Sequence, residues 1–269
     1  ERFIGLHFFS PVDRMPLVEI IRGRRTSDPC LARAMDYVRR IGKTPITVND
    51  SRGFYTSRVF GTYVGEGLTL LGEGVAPALI ENAGRMAGMP VGPLALADEV
   101  SIELMYKVRK QTRADLGKEY RGNAASEGVI DLMVEKLGRI GKKAGKGFYD
   151  YPAEGRKQLW PGLAQHFKPL AAQPDVAAVK QRLLYVQSVE TARCLEEKVV
   201  LDPRDADVGA ILGWGFPPFL GGTVSQMHSI GLDRFIAECD RLAQRHGDRF
   251  APPRLLRDMA AAGKAFYAA

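Results

Sequence analysis

The amino-acid sequence predicts a mainly α-helical protein that begins with a short αβ segment. Three observations lead to this fold class. The first 50 residues alternate between strand-like and helical patterns, and from residue 54 onward the apolar residues recur with the helical period. The helical part also contains an internal repeat, which predicts two copies of one helical unit.

The first 50 residues begin with two predicted strands. Residues 3–9 and 17–21 are rich in β-branched and aromatic side chains, and Pro11, Pro16 and Gly23 bound them. We therefore expect two strands joined by a short turn.

A helix and a third strand follow. Either Ser27 or Asp28 can cap the N-terminus of this helix, Pro29 suits its first turn, and Gly42 ends it. Residues 44–48 then return to a strand pattern.

The helical period dominates the rest of the chain. Its amphipathic segments include residues 77–88, 94–111 and 129–141. A stretch marked by Pro161, Pro169 and Pro174 predicts a linker, after which helices resume near Val176.

Two helical segments 124 positions apart carry the same residues at the same offsets. The matching pairs are Arg58 with Arg182, Glu66 with Glu190, Leu71 with Leu195, Glu73 with Glu197 and Val75 with Val199. Chance amphipathicity can place leucine and valine alike. The shared arginine, the two glutamates and the Gly/Pro turns that follow favour duplication.

Composition limits the class of protein. The 269 residues are 45% hydrophobic, enough for a sizeable core, and include neither an apolar run long enough to span a membrane nor a secretory signal. The three cysteines are far apart and lack metal-ligand spacing. This pattern predicts free thiols in the reducing cytoplasm and no zinc site.

The formal net charge of +7 is accompanied by 31 acidic residues spread along the chain. Such an excess fits either a solvated surface or a polyanionic partner. No basic stretch is interleaved with aromatic residues, so we expect no nucleic-acid partner and favour a phosphate-bearing small molecule.

Two titratable residues, His7 and Glu19, interrupt the apolar strands. In an antiparallel hairpin this pair centres on Asp13 in the turn, so the two side chains would face each other about 4.5–5.5 Å apart at Cβ. The carboxylate would fix one imidazole tautomer and stabilise the imidazolium, as proton transfer requires. The alternative is a buried histidine that a glutamate satisfies for structural reasons, and the pattern leaves both interpretations open.

The other histidines and the glycines carry weaker signals. His166, His228 and His246 lack a carboxylate at a suggestive spacing, which predicts surface or packing roles. No G-x-G-x-x-G motif follows a strand, so the chain has no dinucleotide-binding fingerprint of its own.

Four ordered segments resemble the L-3-hydroxyacyl-CoA dehydrogenase family. They read GLHFFSPVDRMPLVEII, DSRGFYTSRVFGTYVGEGLTLLGEGV, GMPVGPLALAD and GKKAGKGFYDY. The second copy, with GWGFPPFLGG, resembles the tandem C-terminal domains of multifunctional fatty-acid oxidation α-subunits. The resemblance implies the edge of a Rossmann-type NAD domain at residues 1–50, a helical C-terminal domain at 51–160, and a linker with a second helical copy at 161–269.

The resemblance also implies roles for four residues. His7 falls on the catalytic histidine, which removes the proton of the 3-hydroxyl as hydride leaves C3 for NAD, and Glu19 falls on its glutamate partner. Ser10 falls on a cofactor contact that is often asparagine. Ser57 stands where many members have an asparagine that holds the substrate carbonyl, and a neighbour or a water can supplement its shorter reach.

The implied context is fatty-acid β-oxidation of an acyl-CoA substrate, beside an enoyl-CoA hydratase domain and a thiolase subunit. Because the chain begins at Glu1 without a methionine, we expect a fragment whose glycine-rich unit lies upstream. We expect the fragment alone to bind NAD poorly and to show little activity. The alternatives are a non-catalytic helical module for assembly or homodimerisation and, more remotely, a dehydrogenase of another acid.

Overall fold

The computed structural model describes residues 1–267 and divides into two compact units. Unit 1 comprises Glu1–Thr62 and Leu184–Ala269, of which residues 268 and 269 lie outside the description, and unit 2 comprises Tyr63–Leu183. Within the described residues, no helix combines the length and the apolar character that a bilayer crossing requires.

The predicted order of strand, strand, helix and strand at the start of unit 1 is confirmed. The elements are β1 (Gly5–Phe8), β2 (Leu17–Arg22), α1 (Asp28–Arg40) and β3 (Thr44–Asn49). β1 pairs with β2 antiparallel, and β2 pairs with β3 parallel. Val18 and Ile20 of β2 form a buried cluster with Ala34 and Val38 of α1, so apolar burial holds the helix against the sheet.

Helices form most of the remaining chain. In order they are α2 (Thr56–Gly72), α3 (Pro77–Met86), α4 (Pro93–Val100), α5 (Ile102–Leu116), α6 (Ala124–Asp131), α7 (Leu163–His166), α8 (Val176–Glu196), α9 (Pro203–Trp214), α10 (Thr223–Ile230), α11 (Leu232–His246) and α12 (Arg254–Ala261). A π-helical turn, Leu132–Lys136, continues α6. Unit 2 contains α3 to α7 and a hairpin of β4 (Tyr149–Asp150) and β5 (Gln158–Leu159), and unit 1 contains α9 to α12. The boundaries between the units fall within α2 and α8.

The predicted helical segment 94–111 is divided between two helices, α4 and α5. Ser101 has a φ of 85°, outside the helical region, and separates α4 from α5. The N–H of Ile102 donates to the carbonyl of Ile140 at 3.1 Å, and Ser101 Oγ accepts from the N–H of Leu104 at 3.3 Å. The second bond caps α5, so a new helix begins at this point.

The repeated arginine of each of the two helices α2 and α8 forms ion pairs with the repeated glutamates of the other helix. In unit 1, Arg58 of α2 donates to Glu190 of α8 at 2.5 Å. In unit 2, Arg182 of α8 donates to Glu66 of α2 at 2.6 Å. Each arginine also binds the second repeated glutamate of the other helix. Arg58 binds Glu197, and Arg182 binds Glu73. The same pattern is thus made twice with the helices exchanged, which supports the predicted duplication.

A second equivalence, which the sequence analysis missed, lies at the N-termini of α4 and α10. In unit 2, Glu81 of α3 accepts from N–H groups in the first turn of α4 and from the hydroxyl of Tyr149. In unit 1, Asp207 of α9 accepts from N–H groups in the first turn of α10 and from the hydroxyl of Tyr267. The tyrosines end the segments GKGFY and GKAFY, which are 118 positions apart and therefore escape a search at a shift of 124.

The predicted segments 1–50, 51–160 and 161–269 divide the chain by its family resemblance and its internal repeat. The compact units divide it by packing. The two descriptions divide the chain at different residues. The predicted boundaries therefore stay a prediction.

Candidate active site

The hairpin of β1 and β2 brings His7 and Glu19 together. The two residues are direct partners in the strand register, as the centre at Asp13 predicts. His7 Nδ1 lies 2.9 Å from Glu19 Oε2, a hydrogen-bond distance. The predicted pairing is confirmed, while the chemical roles of both residues stay predictions.

Glu19 is fully buried and its carboxylate is surrounded by hydrogen-bond donors. Oε2 accepts from the hydroxyl of Thr56 at 2.8 Å in addition to His7. Oε1 accepts from the N–H groups of Tyr55 and Thr56 at 2.9 and 3.1 Å. A carboxylate is an acceptor only when ionised, so this set of donors matches its charged form.

The backbone donors belong to the N-terminus of α2. The first N–H groups of a helix have no partner within it, and the helix dipole favours negative charge there. Glu19 therefore caps a helix from a strand that lies 36 residues earlier in the sequence. This contact ties the β1–β2 hairpin to the start of the helical region.

The turn that precedes α2 aims these N–H groups at Glu19. The N–H of Phe54 donates to the carbonyl of Ser51 at 3.0 Å, and Gly53 has a φ of 76°. Phe54 also lies in the left-handed region, with a φ of 49°, which is unfavourable for a bulky side chain. The stretch before α2 thus holds a strained conformation directly beside the candidate site.

The imidazole of His7 is partly open to solvent, with 28% of the side chain exposed. Its ring centre lies 4.6 Å from that of Phe9 and 5.7 Å from that of Phe54, so two aromatic rings limit its movement. Nδ1 is engaged by Glu19, and Nε2 has no hydrogen-bond partner among residues 1–267. The histidine is therefore oriented at one nitrogen and available at the other.

The two serines predicted as binding residues are exposed. Ser10 follows β1 in the loop that joins the two strands of the hairpin, three residues after His7. Ser57 lies in the first turn of α2, next to Thr56. Both hydroxyls are accessible to a ligand, and their roles stay predictions.

Tyr55 and Thr56 are the site residues that the sequence analysis missed. The hydroxyl of Tyr55 donates to the carbonyl of Ala206 at 2.9 Å, and burial raises the pKa of this phenol far above its ordinary value. Tyr55 therefore stays protonated and holds the helix start in place through its side chain. The hydroxyl of Thr56 donates to Glu19 directly and so belongs to the hydrogen-bond network of His7 and Glu19.

Two family models match the chain. One, described as "3-hydroxyacyl-CoA dehydrogenase, NAD binding domain", matches residues 1–51. The other, described as "3-hydroxyacyl-CoA dehydrogenase, C-terminal domain", matches residues 53–151. Together the two matches cover more than half of the chain, in the order that the resemblance implies.

Curated relatives match over nearly the whole chain. The fatty acid oxidation complex subunit alpha of Shewanella loihica is 40% identical over 99% of this chain and 37% of its own length. The subunit of the same name from Shewanella amazonensis is also 40% identical, over 99% of this chain and 38% of its own length. The chain therefore spans little more than a third of the length of these relatives.

Solved structures share the fold. The dehydrogenase part of multifunctional enzyme 1 from C. elegans aligns with a TM-score of 0.68 at 25% identity, over 95% of this chain and 59% of that one. The 3-hydroxybutyryl-CoA dehydrogenase of Escherichia coli aligns with a TM-score of 0.75 at 23% identity, over 96% of this chain and 70% of that one.

Proposed function

Because the chain belongs to the 3-hydroxyacyl-CoA dehydrogenase family, we propose that it supplies the proton-transfer pair of an NAD-dependent oxidation of 3-hydroxyacyl-CoA to 3-oxoacyl-CoA. The observation that carries this proposal is the hydrogen bond between His7 Nδ1 and Glu19 Oε2. It leaves Nε2 accessible beside two aromatic rings.

His7 acts as the general base. The carboxylate of Glu19 can only accept, so Nδ1 carries the proton of the neutral ring and Nε2 carries the free electron pair. Nε2 removes the proton of the substrate 3-hydroxyl, and the ring becomes an imidazolium. Its new positive charge lies beside the charge of Glu19, which the start of α2 stabilises through two N–H groups.

NAD, when bound, accepts the hydride that leaves C3. The residues of this chain fit the nicotinamide end of such a cofactor, because the exposed hydroxyl of Ser10 and the open edge of His7 lie at the same end of β1. We assign Ser10 to the cofactor contact. No glycine-rich cradle for the pyrophosphate occurs within this sequence, and no residue of the chain is assigned to that task.

We assign Ser57 to the substrate carbonyl. It is exposed at the N-terminus of α2, where backbone dipoles add positive potential. A serine hydroxyl can donate one hydrogen bond to the thioester or 3-oxo oxygen, and it reaches less far than the asparagine of many family members.

The relatives' shared description as a subunit of a fatty acid oxidation complex supports the wider setting. We propose that the chain acts in fatty-acid β-oxidation as part of a multifunctional enzyme that also carries enoyl-CoA hydratase activity and binds a thiolase subunit. Its free cysteines, Cys30, Cys194 and Cys239, suit a reducing cytoplasm.

The test replaces His7 by glutamine in the full-length polypeptide. We expect turnover of a 3-hydroxyacyl-CoA, followed as NADH formation, to fall by about 10²–10⁴-fold, since general base catalysis contributes this much. His228→Gln, which changes a histidine stacked edge-on against Tyr267, is the matched control and should keep normal turnover. Near-normal turnover of the His7 variant at unchanged thermal stability would refute the assignment.

A second candidate function is assembly through the helical copies. The exchanged ion pairs of Arg58 and Arg182 favour a form of it in which the second copy serves as an internal partner. Sedimentation of the 269-residue chain decides between two arrangements. A monomer is expected if the copies partner each other within one chain, and a homodimer would instead indicate that exposed surfaces pair between chains.

A further inference from the structure

Unit 2 contains a cavity of about 530 Å³ between α3 and the β4–β5 hairpin. One face of α3 lines it with Glu81, Asn82 and Arg85. Tyr149 of β4 and Leu159 of β5 line the opposite wall. This volume lies within the range of small-molecule sites. The cavity shares no residue with the His7–Glu19 pair.

Three cations surround the cavity: Arg85, Arg156 and Lys157. Neither guanidinium group has an ion pair or a hydrogen bond with any of residues 1–267. Lys157 Nζ lies 4.9 Å above the ring of Tyr149, and its nearest carboxylate, Glu99, is at the 4.0 Å limit of an ion pair. The positive charge of this cavity is therefore largely uncompensated within the described chain.

The one carboxylate that lines the cavity, Glu81, is already engaged. Its Oε1 accepts from the N–H of Leu94 at 2.7 Å, and its Oε2 accepts from the hydroxyl of Tyr149 at 2.6 Å. Burial raises the pKa of Glu81, and the nearby charge of Lys157 opposes this shift. Glu81 thus stabilises the start of α4, and its single carboxylate can offset only part of the positive charge of the three cations.

The second helical copy shows that Arg85 is not needed to build this arrangement. Asp207 and Tyr267 repeat the contacts of Glu81 and Tyr149 at the start of α10. Positions 81 and 207 differ by 126, and the same shift leads from Arg85 to Ile211. The capping pattern therefore forms without a cation at this place, and Arg85 is free to serve another purpose.

We propose that this cavity binds a phosphate-bearing organic molecule, with the phosphate groups between Arg85, Arg156 and Lys157 and the organic part against Tyr149 and Leu159. A guanidinium group can donate two parallel hydrogen bonds to two oxygens of one phosphate, and an ammonium group adds a point charge. The cavity is larger than an inorganic phosphate requires, and its aromatic and aliphatic wall suits a planar or apolar group. Binding at this site would employ three of the basic residues that give the chain its net charge of +7. It does not depend on the proposed dehydrogenase activity.

The test is a calorimetric titration of the full-length protein with ADP at saturating NAD, which keeps any dinucleotide site filled. We expect saturable binding that weakens about tenfold or more in Arg85→Gln/Arg156→Gln, because two charge-assisted contacts are lost. The matched control, Arg24→Gln/Arg25→Gln, removes the same charge from two exposed arginines of unit 1 and should bind as the wild type does. Both double variants change exposed side chains, so thermal unfolding should match the wild type.

Two further probes separate the parts of the ligand. Inorganic pyrophosphate should bind more weakly than ADP and adenosine should not bind. ADP binding that is absent, or that is equal in the wild type and Arg85→Gln/Arg156→Gln, would overturn the site. Equal affinity for pyrophosphate and ADP would overturn the contribution of the apolar wall.

Discussion

The side chain of Glu19 joins three pieces of backbone that are distant in the sequence. Its strand β2 carries it, β1 presents His7 to it, and the start of α2 donates two N–H groups and the hydroxyl of Thr56. Because both carboxylate oxygens accept hydrogen bonds, these donors together fix the orientation of the carboxylate group. The orientation of the imidazole therefore depends on Tyr55 and Thr56, which contact Glu19 and not the imidazole.

Thr56 is a positioning residue whose role can be separated from folding. Thr56→Val keeps the shape but removes the hydroxyl that donates to Glu19 Oε2, and we expect kcat to fall about five- to thirtyfold, equivalent to about 1–2 kcal/mol. Thr56→Ser keeps the donor and should restore most of kcat, measured with NADH formation. A loss of kcat in the serine variant equal to that in the valine variant would show that packing, and not the hydrogen bond, matters.

At the scale of single residues, the sequence predicts a contact only where a regular geometry links two positions. His7 and Glu19 face each other because an antiparallel hairpin fixes its register, and this could be worked out from numbers alone. Thr56 lies 37 residues after Glu19, and no periodicity connects a strand to the first turn of a later helix. Its contribution requires the tertiary structure.

At the scale of elements, Asp98 connects the end of α4 to β4. It accepts from the N–H groups of Phe148 and Tyr149 and from the hydroxyl of Tyr151. Burial nevertheless raises the pKa of Asp98 to about 6 from its ordinary value of 3.8. The folded protein therefore keeps this proton at a pH where the unfolded chain has lost it.

This shift predicts that the contribution of Asp98 to stability falls as the pH rises from about 4 to about 6. The folded state binds more protons than the unfolded state in this range, so the free energy of unfolding decreases with pH, by up to about 3 kcal/mol. Asp98→Asn cannot titrate. The difference in unfolding free energy between wild type and variant, from urea titrations at pH values across this range, should shrink accordingly, and a constant difference would contradict the shift.

The break between α4 and α5 at Ser101 shows that the apolar period of a sequence does not reveal where a helix is interrupted by a tertiary contact. The apolar pattern of residues 94–111 fits one helix, and serine carries no strong signal for a left-handed conformation. The break depends on the carbonyl of Ile140, which accepts the N–H of Ile102 from 38 positions away. By contrast, the end of α1 near Gly42 depends on local chemistry and was predictable, since this glycine has a φ of 73°.

At the scale of the whole molecule, duplication was readable from matching residues, but its reciprocal contacts were not. Arg58 and Glu66 lie eight positions apart on one helix, too far to pair within it. Each arginine must therefore find its carboxylates elsewhere, and in the structure it finds them on the equivalent helix of the other copy. Only the packing shows which helix that is.

The two ion-pair clusters differ in burial, which predicts unequal costs. The side chains of Arg182 and Glu66 are 7% and 0% exposed, whereas those of Arg58 and Glu197 are 20% and 50% exposed. Arg182→Met leaves the Glu66 carboxylate buried without this cation and should lower the free energy of unfolding by about 3–5 kcal/mol. Arg58→Met, the matched comparison, should cost less because its partners are better solvated.

Chemical denaturation of both variants checks this order. Arg182→Met/Glu66→Gln removes the uncompensated charge and should recover a substantial part of the loss. Equal costs at Arg58 and Arg182, or no recovery in the double variant, would contradict the importance of the buried pair.

The central claim is that His7 and Glu19 transfer the proton as one unit. The most direct test is a double-mutant cycle of kcat in the full-length protein, with His7→Gln, Glu19→Gln and both changes together. If Glu19 acts only through His7, the double variant should be no slower than His7→Gln alone, because the carboxylate has no imidazolium left to stabilise. Losses that multiply, with the double variant slower than His7→Gln by the full factor of Glu19→Gln, would contradict the account.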